Sequence, residues 1–253
     1  PVAHSFSTRR SSELSRGAPP SYGRVGADGA NIEIRHSYAR FNLGPTDISV
    51  GVQPYSLFRG FYIADDASGI IVRWPIAEGF GLAASWLKAF ENGDEGDNDS
   101  DLDAYTLSGW MYFTENISIK PSISWSHSSD ADAAFNNATG GLPHDFAAAI
   151  AVPELTSTRD ELDIYTYGVD FDMAYDTFGI WATLIGQSGT LENNVAGVDD
   201  VDLKGWLAAI GGNVMLGPVE LHGQAFYSSG DDDADDELEL FVNPYASYYW
   251  SEI

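Results

Sequence analysis

The chain contains no cysteine, so it carries neither a disulfide framework nor a thiolate metal site. That absence suits an exported bacterial protein and many cytosolic ones alike. No run of about 18 apolar residues occurs, which excludes a transmembrane helix. The opening Pro1-Val2-Ala3-His4 lacks the charged start and apolar centre of a signal peptide. Basic residues are scarce: 12 Lys and Arg stand against 38 Asp and Glu, for a formal net charge of -26. This excludes the basic footprint that nucleic-acid binding needs. Aromatic residues, by contrast, are abundant, with 13 Tyr, 13 Phe and 7 Trp in 253 residues. A disordered acidic chain has few aromatics, so this chain folds. The missing apolar run does not exclude a membrane, because only alternate residues of a barrel strand face lipid.

Residues 1–30 read as an irregular loop or end segment, rich in Ser, Gly and Pro and holding Arg9, Arg10, Arg16 and Arg24. Residues 31–253 read as one β domain. Strand-like stretches fall near 31–43, 46–53, 69–75, 79–90, 104–113, 117–127, 162–174, 178–188, 203–216 and 218–228, and another starts near Ser247. Their connections alternate in length. Gly44-Pro45, Pro75 to Glu78, Thr114-Glu115-Asn116, Asp176-Thr177 and Gly217-Pro218 are short, whereas 54–68, 91–103, 128–161, 189–202 and 229–246 are long. A meander that crosses a membrane produces this pattern, with tight turns on one side and longer loops on the other.

Within the strands, apolar and polar residues alternate. Ile48, Val50 and Val52 oppose Asp47, Ser49, Gly51 and Gln53; Ile117, Ile119, Ile123 and Trp125 oppose Ser118, Lys120, Ser122 and Ser124. Val219, Leu221, Ala225 and Tyr227 oppose Glu220, His222 and Gln224. Such period-two patterning means one apolar and one wet face. Aromatics gather at strand ends (Trp74, Phe80, Trp86, Phe90, Tyr112, Phe113, Trp125, Tyr175, Phe178, Trp206, Phe226, Tyr227), as interfacial girdles do. Acidic residues crowd the long loops, at 91–103 and 231–239, where they are solvated. The fold class expected is therefore all-β: an antiparallel up-and-down meander of a transmembrane β-barrel, with ten or eleven strands present.

Several motifs offer chemistry and do not sustain it. Gly79-Phe80-Gly81-Leu82-Ala83-Ala84 loosely matches a dinucleotide fingerprint, but no parallel βαβ series surrounds it. Asp97, Asp99 and Asp101 are spaced like the start of a calcium loop, yet Leu102 and Ser108 stand where Gly and Glu belong. His4, His36, His127, His144 and His222 form no close pair with metal-ligand spacing, and no Gly-x-Ser-x-Gly elbow occurs. No cofactor, metal site or enzymatic constellation is implied. The more informative residues are charged ones within strands. If even-numbered residues face outward over 31–38 and 69–75, Arg35 and Arg73 point inward, as Lys120 does by its own alternation; Glu220 and His222 share the wet face of 218–228. Charges are costly on a lipid face and tolerated in a wet lumen. Arg40 is ambiguous, because Phe41 and Leu43 imply a phase slip.

The order of several landmarks resembles the outer-membrane homotrimeric porins of Desulfovibrio-type bacteria. They are Gly26-Ala27-Asp28-Gly29-Ala30-Asn31, Pro45 to Pro54, Asp65-Asp66-Ala67-Ser68-Gly69, Ser228 to Asp233 and Tyr248-Tyr249-Trp250-Ser251-Glu252-Ile253. The resemblance spans about residues 24–253. It implies a trimeric barrel of roughly sixteen strands in the outer membrane, in contact with lipid and lipopolysaccharide, passing ions and small hydrophilic solutes. In that reading the chain lacks strands at both ends, leaving free edges near 31–43 and 245–253. The segment 54–68, with Tyr55, Leu57, Phe58, Phe61 and Tyr62, becomes an inward-folded third loop whose Asp65 and Asp66 face Arg35 and Arg73. The alternatives are a soluble or secreted β-sandwich that binds carbohydrate or a surface partner, and a barrel enzyme, which wants a nucleophile.

Overall fold

The computed structural model describes residues 8–9, 33–34, 36–90, 101–129, 159–193, 200–230 and 237–243. A two-residue ladder pairs β1 (Thr8–Arg9) with β2 (Glu33–Ile34). The main sheet begins with β3 (Ser37–Leu43), β4 (Thr46–Leu57), β5 (Ile63–Ala77), β6 (Phe80–Phe90) and β7 (Leu102–Thr114). It continues through β8 (Ile117–Ser128), β9 (Arg159–Ala174), β10 (Phe178–Asn193), β11 (Val201–Leu216) and β12 (Val219–Ser228). From β3 to β12 every strand pairs antiparallel with its sequence neighbours, in unbroken order; β13 (Glu237–Leu238) joins β11 in parallel, off that path. This is the up-and-down meander of a barrel. A sandwich needs a second packed sheet, and the strands from β3 to β12 form one sheet.

Two adjacent rows of paired residues display the alternation. One row runs Val50, Ile70, Trp86, Tyr105, Trp125 and Tyr165 across β4 to β9. The next row runs Ser49, Ile71, Ser85, Thr106, Ser124 and Thr166. The first row is mostly exposed and the second mostly buried, so the first faces out and the second faces in. The sheet is curled, because the five residues between β4 and β5 reach side chains on β8, β9, β10 and β12 from the inner side. The core lies in this concavity, in the half towards the long connections. There Leu57, Phe58, Phe61, Tyr62 and Ile63 meet inward Leu87, Leu102, Ile164, Ile185 and Leu207. Burying each such side chain contributes about 1.5–3 kcal/mol.

Three sequence expectations are corrected. Segment 54–68 is mostly strand: alternation continues through Gln53, Tyr55 and Leu57, and only a 3-10 turn at Phe58–Gly60 with Phe61 and Tyr62 separates β4 from β5. Strands β9, β10 and β11 each run 16 residues, longer than a membrane crossing, since polar residues on their extensions stay paired beyond the apolar band. The expected strand 31–43 is divided: Glu33–Ile34 pairs with β1, and β3 begins at Ser37. Tyr38, Arg40 and Asn42 oppose Gly51, Ser49 and Asp47 on the inward register, so the even-out phase assumed for 31–38 fails at Tyr38. Within β3 there is no slip, since its phase is constant from Ser37 to Leu43. Among the described residues, β3 and β12 each have a partner on one side only, and the sheet does not close. The edge expected near 245–253 lies outside the described residues, as does the strand expected from Ser247.

Candidate functional site

The turn between β4 and β5 is the feature that enters the concavity. Phe58 and Arg59 both adopt left-handed backbone, with φ of 52° and 55°. That geometry costs an L-residue on the order of 1–2 kcal/mol, so the surroundings must hold it. Phe58 is buried against β9 at Gly168, where a Cβ would stand 3.0 Å from the Phe58 ring and 2.2 Å from the Leu184 carbonyl oxygen. Tyr62 is 0% exposed, and its hydroxyl lies 2.7 Å from Ser126 Oγ on β8. Phe61 packs against Trp181 on β10 and Phe226 on β12, with ring centroids 6.4 and 5.7 Å apart. Asn243 Nδ2 donates to the Phe61 carbonyl at 3.3 Å. The backbone of Val242 is clamped in both directions by the Gln187 amide, at 2.7 and 2.8 Å. Segment 237–243 therefore braces the turn through Asn243.

Arg59 carries the charge of this turn. Its Nη2 donates to the Asp172 carboxylate and, at 3.3 Å, to the Phe171 carbonyl; its Nε lies 3.8 Å from Asp170 Oδ1. The guanidinium sits 4.8 Å from the centre of the Trp181 ring, a cation–π placement. Trp181 can lie flat there because β11 offers Gly211 beneath it: a Cβ at Gly211 would fall 2.4 Å from the indole. Asp170 also accepts from Thr183 Oγ1 at 2.6 Å, and Lys120 Nζ reaches Asp172 at 3.4 Å. Two bases and two acids thus form one inward cluster on β8, β9 and the turn. A second cluster lies on β3 to β5: Arg40 Nε donates to Asp47 at 2.6 Å and Arg73 Nη1 at 3.3 Å, giving two positive charges around one negative.

Of the residues selected from sequence, Arg73 and Lys120 lie on the inward register and join these two clusters. Glu220 and His222 oppose Met215 and Asn213 on β11; Glu220 accepts from Asn213 Nδ2 at 2.7 Å. Asp66 bonds His36 at 2.7 Å and shares the outward parity of Ile70 and Trp74. It stands seven residues from Arg73 on the same strand, roughly 23 Å of extended chain, too far for the two to pair. The backbone of Asp65 pairs with Tyr55, while its side chain, like Arg35, lies outside the described residues. The turn carries a base, Arg59, and the wall facing it carries Asp170 and Asp172, where the sequence led one to expect acids on the inward segment. Arg59 was missed because sequence does not show which residue of a tight turn points inward. The two aspartates had a signal, since both sit on the alternating wet face of 162–174 with Thr166.

Between its aromatic rows the outward face is apolar. Trp86, Tyr105, Trp125 and Tyr165 form one lateral row on β6 to β9, with Trp125 stacked on Tyr105 at 5.2 Å and on Tyr165 at 6.4 Å. Trp74, Phe113, Tyr175 and Phe178 mark the other end, near the short turns. Of the aromatics read as girdle, Tyr112 and Phe226 face inward, and the Phe90 side chain lies outside the described residues. Tyr105 and Tyr165 are girdle members that the end-of-strand criterion overlooked.

No protein-family model matches the chain. No curated protein matches it. Among solved structures, a porin refined at 1.8 Å resolution aligns over 84% of this chain and 68% of its own, with 13% identity and a TM-score of 0.47.

Proposed function

We propose that the chain forms the wall of an outer-membrane porin, a water-filled passage through which ions and small hydrophilic solutes diffuse without a chemical step. The carrying observation is the outward face. Along β8, Trp125 in one aromatic row stands eight positions on from Ile117 at the short-turn end. That is roughly 27 Å of chain, or about 20 Å along a barrel normal after a tilt of ~40°. Exposed Leu107, Ile123, Leu184 and Ile210 fill this band. A contiguous apolar belt with aromatic borders suits lipid and is a liability in water.

The inward turn narrows the passage, and Arg59, Asp170, Asp172 and Lys120 set the field there, with Arg40, Asp47 and Arg73 as a second charged group. Glu220 and His222 line the wall beyond them. Arg35 and Asp65 belong to the same reading as lumen residues only on the sequence argument; Asp66, of outward parity and bonded to His36, does not. The resemblance of the landmark order supports association as a homotrimer, with lipid and lipopolysaccharide around the belt.

Planar-bilayer recordings test the reading. The chain should give discrete ohmic steps. Arg59→Gln removes the positive charge facing Asp170 and Asp172, so the reversal potential should shift towards cation preference. Absence of any conductance from correctly folded, lipid-inserted protein, or an Arg59→Gln channel with unchanged selectivity, counts against it.

A further inference from the structure

A second constellation lies on the outward face, apart from the lumen. His127 and Asp163 are direct cross-strand partners on β8 and β9, and Glu161 is two residues along from Asp163 on the same face. His127 Nδ1 lies 3.1 Å from Asp163 Oδ1 and 3.7 Å from Glu161 Oε1, and one ligand atom from each residue falls within 4.8 Å of the others. We infer that His127, Glu161 and Asp163 form a binding site for a first-row divalent transition ion, with Zn²⁺ the natural occupant. An ion bound at about 2.1 Å in tetrahedral geometry separates its ligand atoms by about 3.4 Å. The observed spacings bracket that value. One imidazole and two carboxylates select such ions over calcium, which prefers all-oxygen shells.

The surroundings hold the ligands in place. Trp125 Nε1 donates to Asp163 Oδ1 at 2.5 Å, and the Trp125 ring packs 5.2 Å from the His127 ring. Such supporting contacts orient metal ligands and sharpen affinity. Trp125 is itself fixed between Tyr105 and Tyr165. Among the described residues the two carboxylates contact His127, Trp125 and each other, and Glu192 adds negative charge nearby. The site lies two residues beyond the aromatic row, towards the long connections, and all three side chains keep partial exposure. A hydrated ion can therefore reach it from the water side, with solvent as the fourth ligand.

The test titrates Zn²⁺ into the full chain in detergent micelles by calorimetry, with excess Ca²⁺ present to occupy weak acidic loop sites. One Zn²⁺ should bind per chain. His127→Gln and Glu161→Gln should each raise the Kd by more than about tenfold, the lower end of what losing even a supporting contact costs. Asp97→Asn with Asp99→Asn, in an acidic loop, should leave it unchanged. Wild-type chain loaded with Cu²⁺ should show nitrogen hyperfine coupling from a single imidazole, a readout that does not depend on any variant folding. A Cu²⁺ spectrum without nitrogen coupling, Zn²⁺ displaced by Ca²⁺, or a Kd indifferent to His127→Gln would overturn the assignment. The result does not depend on whether the barrel conducts.

Discussion

Phe58 and Arg59 occupy a conformation that L-residues avoid, and each is held there by something different. Phe58 is locked by burial against a glycine that leaves room for its ring; Arg59 is locked by two carboxylates and an indole face. Backbone strain of this kind persists only where packing over-determines it, and it concentrates at functional positions. Phe58→Ala removes the packing anchor while keeping the charge. Truncating a buried Phe costs about 3–5 kcal/mol, and here the strained turn is also released. The expected outcome is a lower urea midpoint for unfolding from lipid, followed by Trp fluorescence, together with noisier channel openings as Arg59 loses its fixed place. A variant with wild-type stability and quiet openings would show that the turn is held by other contacts.

At the level of the strand, one alternation serves two solvents. On β10, Leu184 is 57% exposed on the outward face, while its neighbours Thr183 and Ile185 are buried on the inward face. A soluble sheet tolerates a charge at such an exposed position. A lipid-facing one does not: arginine near the bilayer midplane costs about 2–4 kcal/mol. Leu184→Arg should therefore lower folding yield into vesicles and stability by that amount, measured by the shift on gel electrophoresis between folded and unfolded forms. A change within about 0.5 kcal/mol, the usual effect of a surface substitution, would mean that β10 faces water. The inward ladder on β7 and β8 obeys the opposite rule. Ser122 Oγ donates to Ser108 Oγ at 2.8 Å, and the buried Thr106 and Ser124 hydroxyls lie 2.9 Å apart, so these inward polar groups satisfy one another.

Over the whole molecule, the formal net charge of -26 sets a long-range field. Part of it stands beyond the aromatic row, at Asp103, Glu161, Asp163 and Asp202. Such a field concentrates cations at a pore mouth in proportion to how little it is screened. The Debye length is about 30 Å at 0.01 M salt and about 3 Å at 1 M. Reversal potentials should accordingly show clear cation preference at low salt that fades towards neutrality as salt rises. A preference independent of ionic strength would place selectivity in the local clusters around Arg59 and Asp47 alone.

The alternation of Ile48, Val50 and Val52 against Asp47, Ser49 and Gln53, and the rhythm of short and long connections, determined the meander before any coordinate was known. Neighbouring strands joined by two-residue turns have almost no other way to satisfy their backbone hydrogen bonds. The inward placement of Lys120 and Arg73 followed from the same period. Tertiary structure alone decided the rest. The turn at Phe58–Tyr62 became the inward element because its rings had a concave wall to fill, and no local pattern reports that wall. Asp170 and Asp172 gained Arg59 across 111 and 113 positions of chain, and His127 met Glu161 and Asp163 across 34 and 36. Period-two patterning states which face a residue occupies. Strand register, set by turns and loops far from the residues concerned, states which residue stands opposite, and that is where the charge pairs and the candidate metal ligands arise.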